Sequence, residues 1–307
     1  MFKTTQLFFR RLETFARKQV RKQRIAAYLR SDRRPWRPGY IDYQEEYLEK
    51  VLQDTVQIED FRQRKQLPPR YGLRLGERVI EIPWALAHLA SRNGWLLDAG
   101  SSLNHDFVLK SQALANFQVT IMTLAPEAKA YWNLGVSYVF GDLRNLYFRD
   151  EWFDSIVCIS TIEHIGMDNS IYTKEIGPDE LTKGGNKFSA DTNSFEQAIT
   201  EFRRVLKPGG VLYITFPFGK YENHGWFQQY DGQLTDYLIR CFAPAHINET
   251  IFRYDPDGWK ISDRNACSEC EYFDVHKSKY FDPTSEIEYP PDYPAGPRAV
   301  ACLELQK

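Results

Sequence analysis

The sequence predicts an α/β protein built on a doubly wound, mostly parallel sheet with helices on both faces, preceded by a helical extension. Three observations predict it. The run Trp95-Leu96-Leu97-Asp98-Ala99-Gly100-Ser101-Ser102-Leu103-Asn104-His105 reads as an apolar strand that turns on a glycine into a helix. Apolar strand-like runs then alternate with helical patterns from residue 95 onward, the signature of a parallel sheet covered on both faces. Finally, Pro208-Gly209-Gly210 separates the clearest amphipathic helix from a buried strand.

Residues 2–30 read as a helix with Phe8, Leu12, Phe15 and Ala16 on one face and basic residues elsewhere. Pro35 and Pro38 break the chain. A helix over 41–54 follows, and then a polar stretch ending in Pro68-Pro69. A helix over 82–90 places Pro83 in its first turn. Strands are expected over 96–99, 117–124, 136–140, 155–159, 211–216 and 298–305. Helices are expected over 106–115, from Pro126-Glu127, and over 194–206, the last with a Ser194/Gln197 capping box. The organisation is then 1–37 basic extension, 38–94 helical lead-in and 95–307 sheet domain, with a lid-like insertion at about 166–192.

Of the 307 residues 43% are hydrophobic, enough for one large core. No apolar run is long enough to cross a bilayer, and the N-terminus lacks the apolar core and cleavage site of a secretory signal. The five cysteines have no framework spacing, which points to reduced thiols and a cytoplasmic protein. Residues 1–37 hold twelve Lys/Arg against Glu13 and Asp32, a charge of +10; with −2 for the whole chain, the remainder carries −12. Such a head either docks on this protein's own acidic body or lies against an acidic partner or an anionic membrane surface, such as the inner membrane face. The acidic body disfavours nucleic acid as a substrate.

Ligands of open α/β sheets bind beyond the carboxyl ends of the strands. Those ends carry Asp98, Gly100, Ser102 and Asn104; Thr123 to Glu127; Gly141-Asp142-Leu143; and Ser160-Thr161-Ile162-Glu163-His164. With Phe153-Asp154-Ser155-Ile156-Val157 and Leu206-Lys207-Pro208-Gly209-Gly210, this ordered set resembles the class I S-adenosylmethionine-dependent methyltransferases, particularly the type-11 group. The resemblance is strongest from Trp95 to Phe218 and does not reach residues 1–75. It implies a Rossmann-like, seven-stranded sheet and S-adenosylmethionine as cofactor. It also implies cofactor contacts from Asp98, Gly100, Ser102, Asn104, Thr123, Asp142, Leu143 and Ser160, with Asp142 meeting the adenine amino group. Ser102 and Asn104 stand in place of two family glycines. Thr123 stands where the family has the acid that grips the ribose, a charge that Glu127 or Asp98 would have to supply.

The implied reaction is methyl transfer to a nucleophile, by in-line positioning with a base where the acceptor is a hydroxyl. Candidate bases are His224 and His164, the latter beside Glu163. Tyr221, Trp226, Gln228, Tyr230 and Asp231 offer aromatic faces, amides and an acid suited to a small or glycan-type acceptor. Some family members bind a divalent metal through Glu-x-x-Glu-His here, but Ser160 replaces the first glutamate, and no metal is expected. Cys267 and Cys270 with His276 give at most three zinc ligands, so no zinc is expected there either. The expected activity is O-methylation; the rival is a non-catalytic scaffold on the same fold, recruited through its basic helix.

Overall fold

The computed structural model describes the backbone of residues 2–169 and 192–307, and side chains from Phe15 onward in the same segments. Four helices precede the sheet: α1 (Phe2–Arg30), α2 (Tyr40–Gln53), α3 (Thr55–Arg62) and α4 (Arg78–Leu89). The sheet strands are β1 (Gly94–Ala99), β2 (Phe117–Thr123), β3 (Ser137–Phe140), β4 (Phe153–Ile159), β5 (Leu206–Pro217), β8 (His246–Asp255), β9 (Gly258–Ser262) and β10 (Ala299–Gln306). A two-stranded hairpin, β6 (Glu222–Asn223) and β7 (Gln228–Gln229), stands apart. Helices α5 (Asp106–Leu109), α6 (Phe195–Val205), α7 (Gly232–Phe242) and α8 (Arg264–Cys267) complete the described elements.

The main sheet runs β3-β2-β1-β4-β5-β10-β8-β9. Strands β1 to β5 pair parallel, and β10 enters antiparallel between β5 and β8. It therefore has eight strands rather than seven. The extra edge strand follows a two-residue loop, Pro256-Asp257, between the paired residues Asp255 and Gly258. Gly258 has φ 95, a conformation that disfavours other residues.

Side chains alternate between the faces, as the strand period requires. Leu96, Ile121, Val157, Tyr213 and Cys302 face a core shared with α2, α3 and α4. Leu97, Met122, Ile156, Leu212 and Leu303 face a second core with α6 and α7. The lead-in helices thus cover one whole face of the sheet.

Three sequence expectations need correction. The helix expected over 106–115 is one turn of α5 followed by a 3-10 turn at Gln112–Leu114, because Ser111 is extended (φ −64, ψ 148). No helix opens at Pro126-Glu127: the Lys129 carbonyl accepts from Asn104 Nδ2 and the Tyr131 N–H donates to Tyr138 Oη, so side chains hold that backbone instead. Ser194 has helical φ and makes no capping hydrogen bond, so the capping box does not form. The proposed lid falls mainly on residues 170–191, outside the described part.

Helix α4 starts a turn earlier than expected and carries Pro83 in its interior. Proline cannot donate to the Val79 carbonyl four residues back. Tyr71 Oη donates to that carbonyl at 2.7 Å, so the buried acceptor stays satisfied. This keeps α4 continuous where it underlies the strand ends.

Part of the basic head docks on the protein itself. Arg21 pairs with Glu49 at 3.0 Å and Arg24 with Asp42 at 2.8 Å, both acids on α2, while Ile25 and Tyr28 are buried. Among the described residues no helix is long and apolar enough to cross a membrane.

Candidate functional site

The chain leaves β1 toward β2 and β3, then returns to β4 on the other side of β1, so the β1/β4 boundary is the switch point where open sheets bind ligands. Gly100 turns the chain there with φ 119, followed by Ser101 at φ 68. A Cβ on Gly100 would lie 2.1 Å from Thr161 Oγ1, so the loops after β1 and β4 touch through this glycine.

The loop after β1 is locked by side chains. Fully buried Asp98 accepts the Ser102 N–H at 3.2 Å and the Leu103 N–H at 2.8 Å. Ser102 Oγ donates to the Ile159 carbonyl at 2.7 Å, tying the loop to β4. Asn104 Oδ1 accepts from Tyr138 Oη at 2.8 Å. The two residues standing in for family glycines thus fasten the loop. Burial pushes the Asp98 carboxyl up to about 7 against the pull of its two backbone donors, and Glu127 lies close enough to raise it further.

Beneath the loop after β4 lies a cluster that sequence reasoning missed. Glu81 on α4 is fully buried; its Oε1 accepts from Ser160 Oγ at 2.5 Å and from Thr215 Oγ1 at 2.7 Å. Its Oε2 accepts from Arg78 at 2.8 Å. Arg78 keeps 32% of its side chain exposed, and its charge is felt at Asp98, His105, Glu163 and His164. Burial raises Glu77 to about 7, with the charge of Glu81 adding to the effect. Burial also drives the Glu163 carboxyl well above the usual range, and its Oε2 has no hydrogen-bond partner among the described residues. Arg78 therefore sits among the carboxyls of Glu77, Glu81 and Glu163, with Asp98 near enough to feel its charge. The signal was a charged residue, Glu81, between Ile80 and Ile82 in an otherwise apolar helix.

His164 packs against Trp226, ring centroids 5.2 Å apart, with Nδ1 2.9 Å from the Trp226 carbonyl. A carbonyl only accepts, so Nδ1 donates to it, and Nε2 lies 4.0 Å from Glu163 Oε1. Burial lowers this imidazole to about 4. The His224 side chain is 1% exposed and 3.4 Å from Glu222, and it stacks at 4.3 Å on Phe227, the ring that also lies 5.9 Å from His164.

The remaining sequence candidates divide. Thr123 is half-buried at the end of β2, and its carbonyl accepts the Gly141 N–H at 2.9 Å. Leu143 is buried. Asp142 is held by Arg144 Nε at 3.0 Å; burial raises its carboxyl, and the Arg144 hydrogen bonds outweigh that, so it titrates lower than usual. Tyr221 is exposed and Trp226 half-buried. Gln228 is buried and donates to the Thr192 carbonyl. Tyr230 is buried too, its Oη unpartnered and close enough to Glu163 to feel its charge. Asp231 caps α7 through the Leu234 N–H at 2.8 Å, so its carboxylate serves the fold. Gly219 and Lys220, at the base of this segment, rest against the Cys270 carbonyl. Among the described residues no three His, Cys, Asp or Glu come together in a way that could hold a metal ion.

No protein-family model and no curated protein matches the chain. Solved structures similar to it include the 1,6-didemethyltoxoflavin-N1-methyltransferase of Burkholderia thailandensis, crystallised with S-adenosylhomocysteine (15% identity, 74% of this chain and 79% of that one, TM-score 0.41). The YcgJ protein of Bacillus subtilis is similar at 14% identity, over 74% of this chain and 97% of that one, with a TM-score of 0.40. The [4+2]-cyclase SpnF is similar at 16% identity over 54% of this chain and 57% of the cyclase, with a TM-score of 0.35. The sheet itself, five parallel strands in the order 3-2-1-4-5 followed by an inserted antiparallel strand, gives this chain the doubly wound, Rossmann-like fold that the sequence resemblance implies.

Proposed function

We propose that this protein is an S-adenosylmethionine-dependent methyltransferase that modifies an oxygen of a small or glycan-type acceptor. The observation that carries this reading is Arg78, partly exposed among strand-end carboxyls beside the locked Gly100 loop. The residues suit the cofactor. Gly100 lets the loop after β1 pack directly on Thr161, which closes the ends of β1 and β4 together at the switch point. A zwitterionic amino-acid moiety finds Arg78 for its carboxylate. Asp98 spends both oxygens on the loop backbone, which leaves Glu127 as the acid for the ribose in place of Thr123. The cofactor supplies a methyl group on a positively charged sulfur.

The protein's part is positioning and proton management. His164, its ring fixed by the Trp226 carbonyl, is the candidate to accept the acceptor's hydroxyl proton. Since the imidazole is lowered to about 4, it is neutral throughout the physiological range. Tyr221 and Trp226 provide the exposed and half-exposed aromatic faces on the acceptor side.

The test compares two ligands. Arg78→Met weakens S-adenosylhomocysteine binding roughly 30-fold, the loss of one charge-assisted hydrogen bond of about 2 kcal/mol. It leaves 5′-methylthioadenosine, which lacks the carboxylate, unchanged. Equal weakening of both, with the fold intact by circular dichroism, removes Arg78 from the site. A complete lack of binding by either ligand to the native chain favours the scaffold reading.

A further inference from the structure

A second chemically competent group lies outside the strand-end site. Cys267 ends α8, and the Cys270 N–H donates to the Cys267 carbonyl at 3.0 Å, closing a four-residue turn. Such a turn holds its end Cα atoms within about 7 Å, the separation that a disulfide spans. The two thiols are close enough to perturb each other, Cys267 being pushed up and Cys270 down. Cys267 is fully buried, whereas Cys270 lines a surface cavity of about 290 Å³ with Arg253, Tyr254, Glu269 and Arg298. Cys270, 8% exposed, is therefore the shallower of the two and Cys267, at 0%, the deeper.

We infer that Cys267 and Cys270 form a thiol–disulfide exchange site, in which Cys270 attacks a low-molecular-weight disulfide entering this cavity and Cys267 resolves the product. The Cys270 thiolate bonds to one sulfur of the incoming disulfide, whose S–S bond breaks and whose other half leaves as a thiolate that takes up a proton. Cys267 then loses its proton and attacks the Cys270 sulfur. An intramolecular disulfide forms and the second half of the reagent leaves as a thiol. Two cysteine thiols are oxidised, and one disulfide is reduced to two thiols. The environment supports the division of labour: the Cys267 hydrogen bond, assisted by Arg253 and Arg298, lowers the Cys270 thiol to about 7 against the effect of burial. The other described cysteines lack this: Cys158 and Cys302 are buried and pushed well up, and Cys241, more exposed than Cys270, is also raised. The inference does not depend on the methyl-transfer reading.

The full-length protein is incubated with oxidised and reduced glutathione at varied ratios, quenched in acid, alkylated after denaturation and mapped by mass spectrometry. The peptide holding Cys267 and Cys270 loses two hydrogens while Cys158 and Cys302 remain alkylatable. Cys267→Ser accumulates a glutathione adduct on Cys270, and Cys270→Ser gives none on Cys267. In the native unsubstituted chain at pH 7, iodoacetamide labels Cys270 at least tenfold faster than the more exposed Cys241. Modification of Cys241 first, or a pair that stays reduced until the protein unfolds, overturns the inference.

Discussion

Glu163→Gln stabilises this protein at pH 8 and makes its melting temperature less dependent on pH. The folded carboxyl is raised well above 4.5 by burial, so between pH 4.5 and its folded value the folded chain keeps a proton that the unfolded chain releases. Raising the pH through that window destabilises the fold by up to about 1.4 kcal/mol per unit for each such group. Asp98, raised from 3.8 to about 7, and Glu77, raised from 4.5 to about 7, act in the same direction over their own windows. Thermal melts from pH 5 to 8 therefore show a falling melting temperature in the native chain and a shallower fall in the variant. The neutral amide fills the same volume without the cost of burying a charge. A variant less stable than the native chain at pH 8 would show instead that Glu163 is ionised and paired with Arg78.

Gly100→Ala removes ligand binding and costs more than about 3 kcal/mol of stability, since strain and collision act together. The added Cβ meets Thr161 Oγ1 at 2.1 Å, Cγ2 at 2.6 Å and Cβ at 2.8 Å, a branched side chain whose hydroxyl is tied to the Ile159 carbonyl, at a backbone φ of 119. Denaturant melts measure the first effect and ligand titration the second. Adding Thr161→Ala to Gly100→Ala relieves the contact but not the backbone strain, so it recovers only part of the stability. Full recovery would mean that the glycine's conformation is not required.

Much of the sheet was legible because its parallel core strands are continuous apolar runs bounded by turn residues, as with Leu96-Leu97 before Asp98-Ala99-Gly100. The connections were less so. The helix expected after β1 shrinks to single turns and the one expected after β2 does not open, on a face that α2 to α4 already cover. Nothing local in residues 106–131 encodes that competition. Asp98, Gly100, Ser102 and Asn104 could be placed at the end of β1 from the apolar run that precedes them. Arg78 and Glu81 could not, since they lie on a helix before the first strand and reach the strand ends only through the packing of α4 under β4 and β5. Asp231 and His224 misled for a related reason: a capping aspartate and a stacked, buried histidine have the same composition as an acceptor pocket.

The most direct measurement is calorimetric titration of the full-length protein with S-adenosylmethionine and S-adenosylhomocysteine near pH 7.5. Saturable heat from both ligands, at one site per chain and absent in Gly100→Ala, is the predicted result. A folded native chain that gives no heat with either ligand at millimolar concentration would contradict the assignment of the strand-end site.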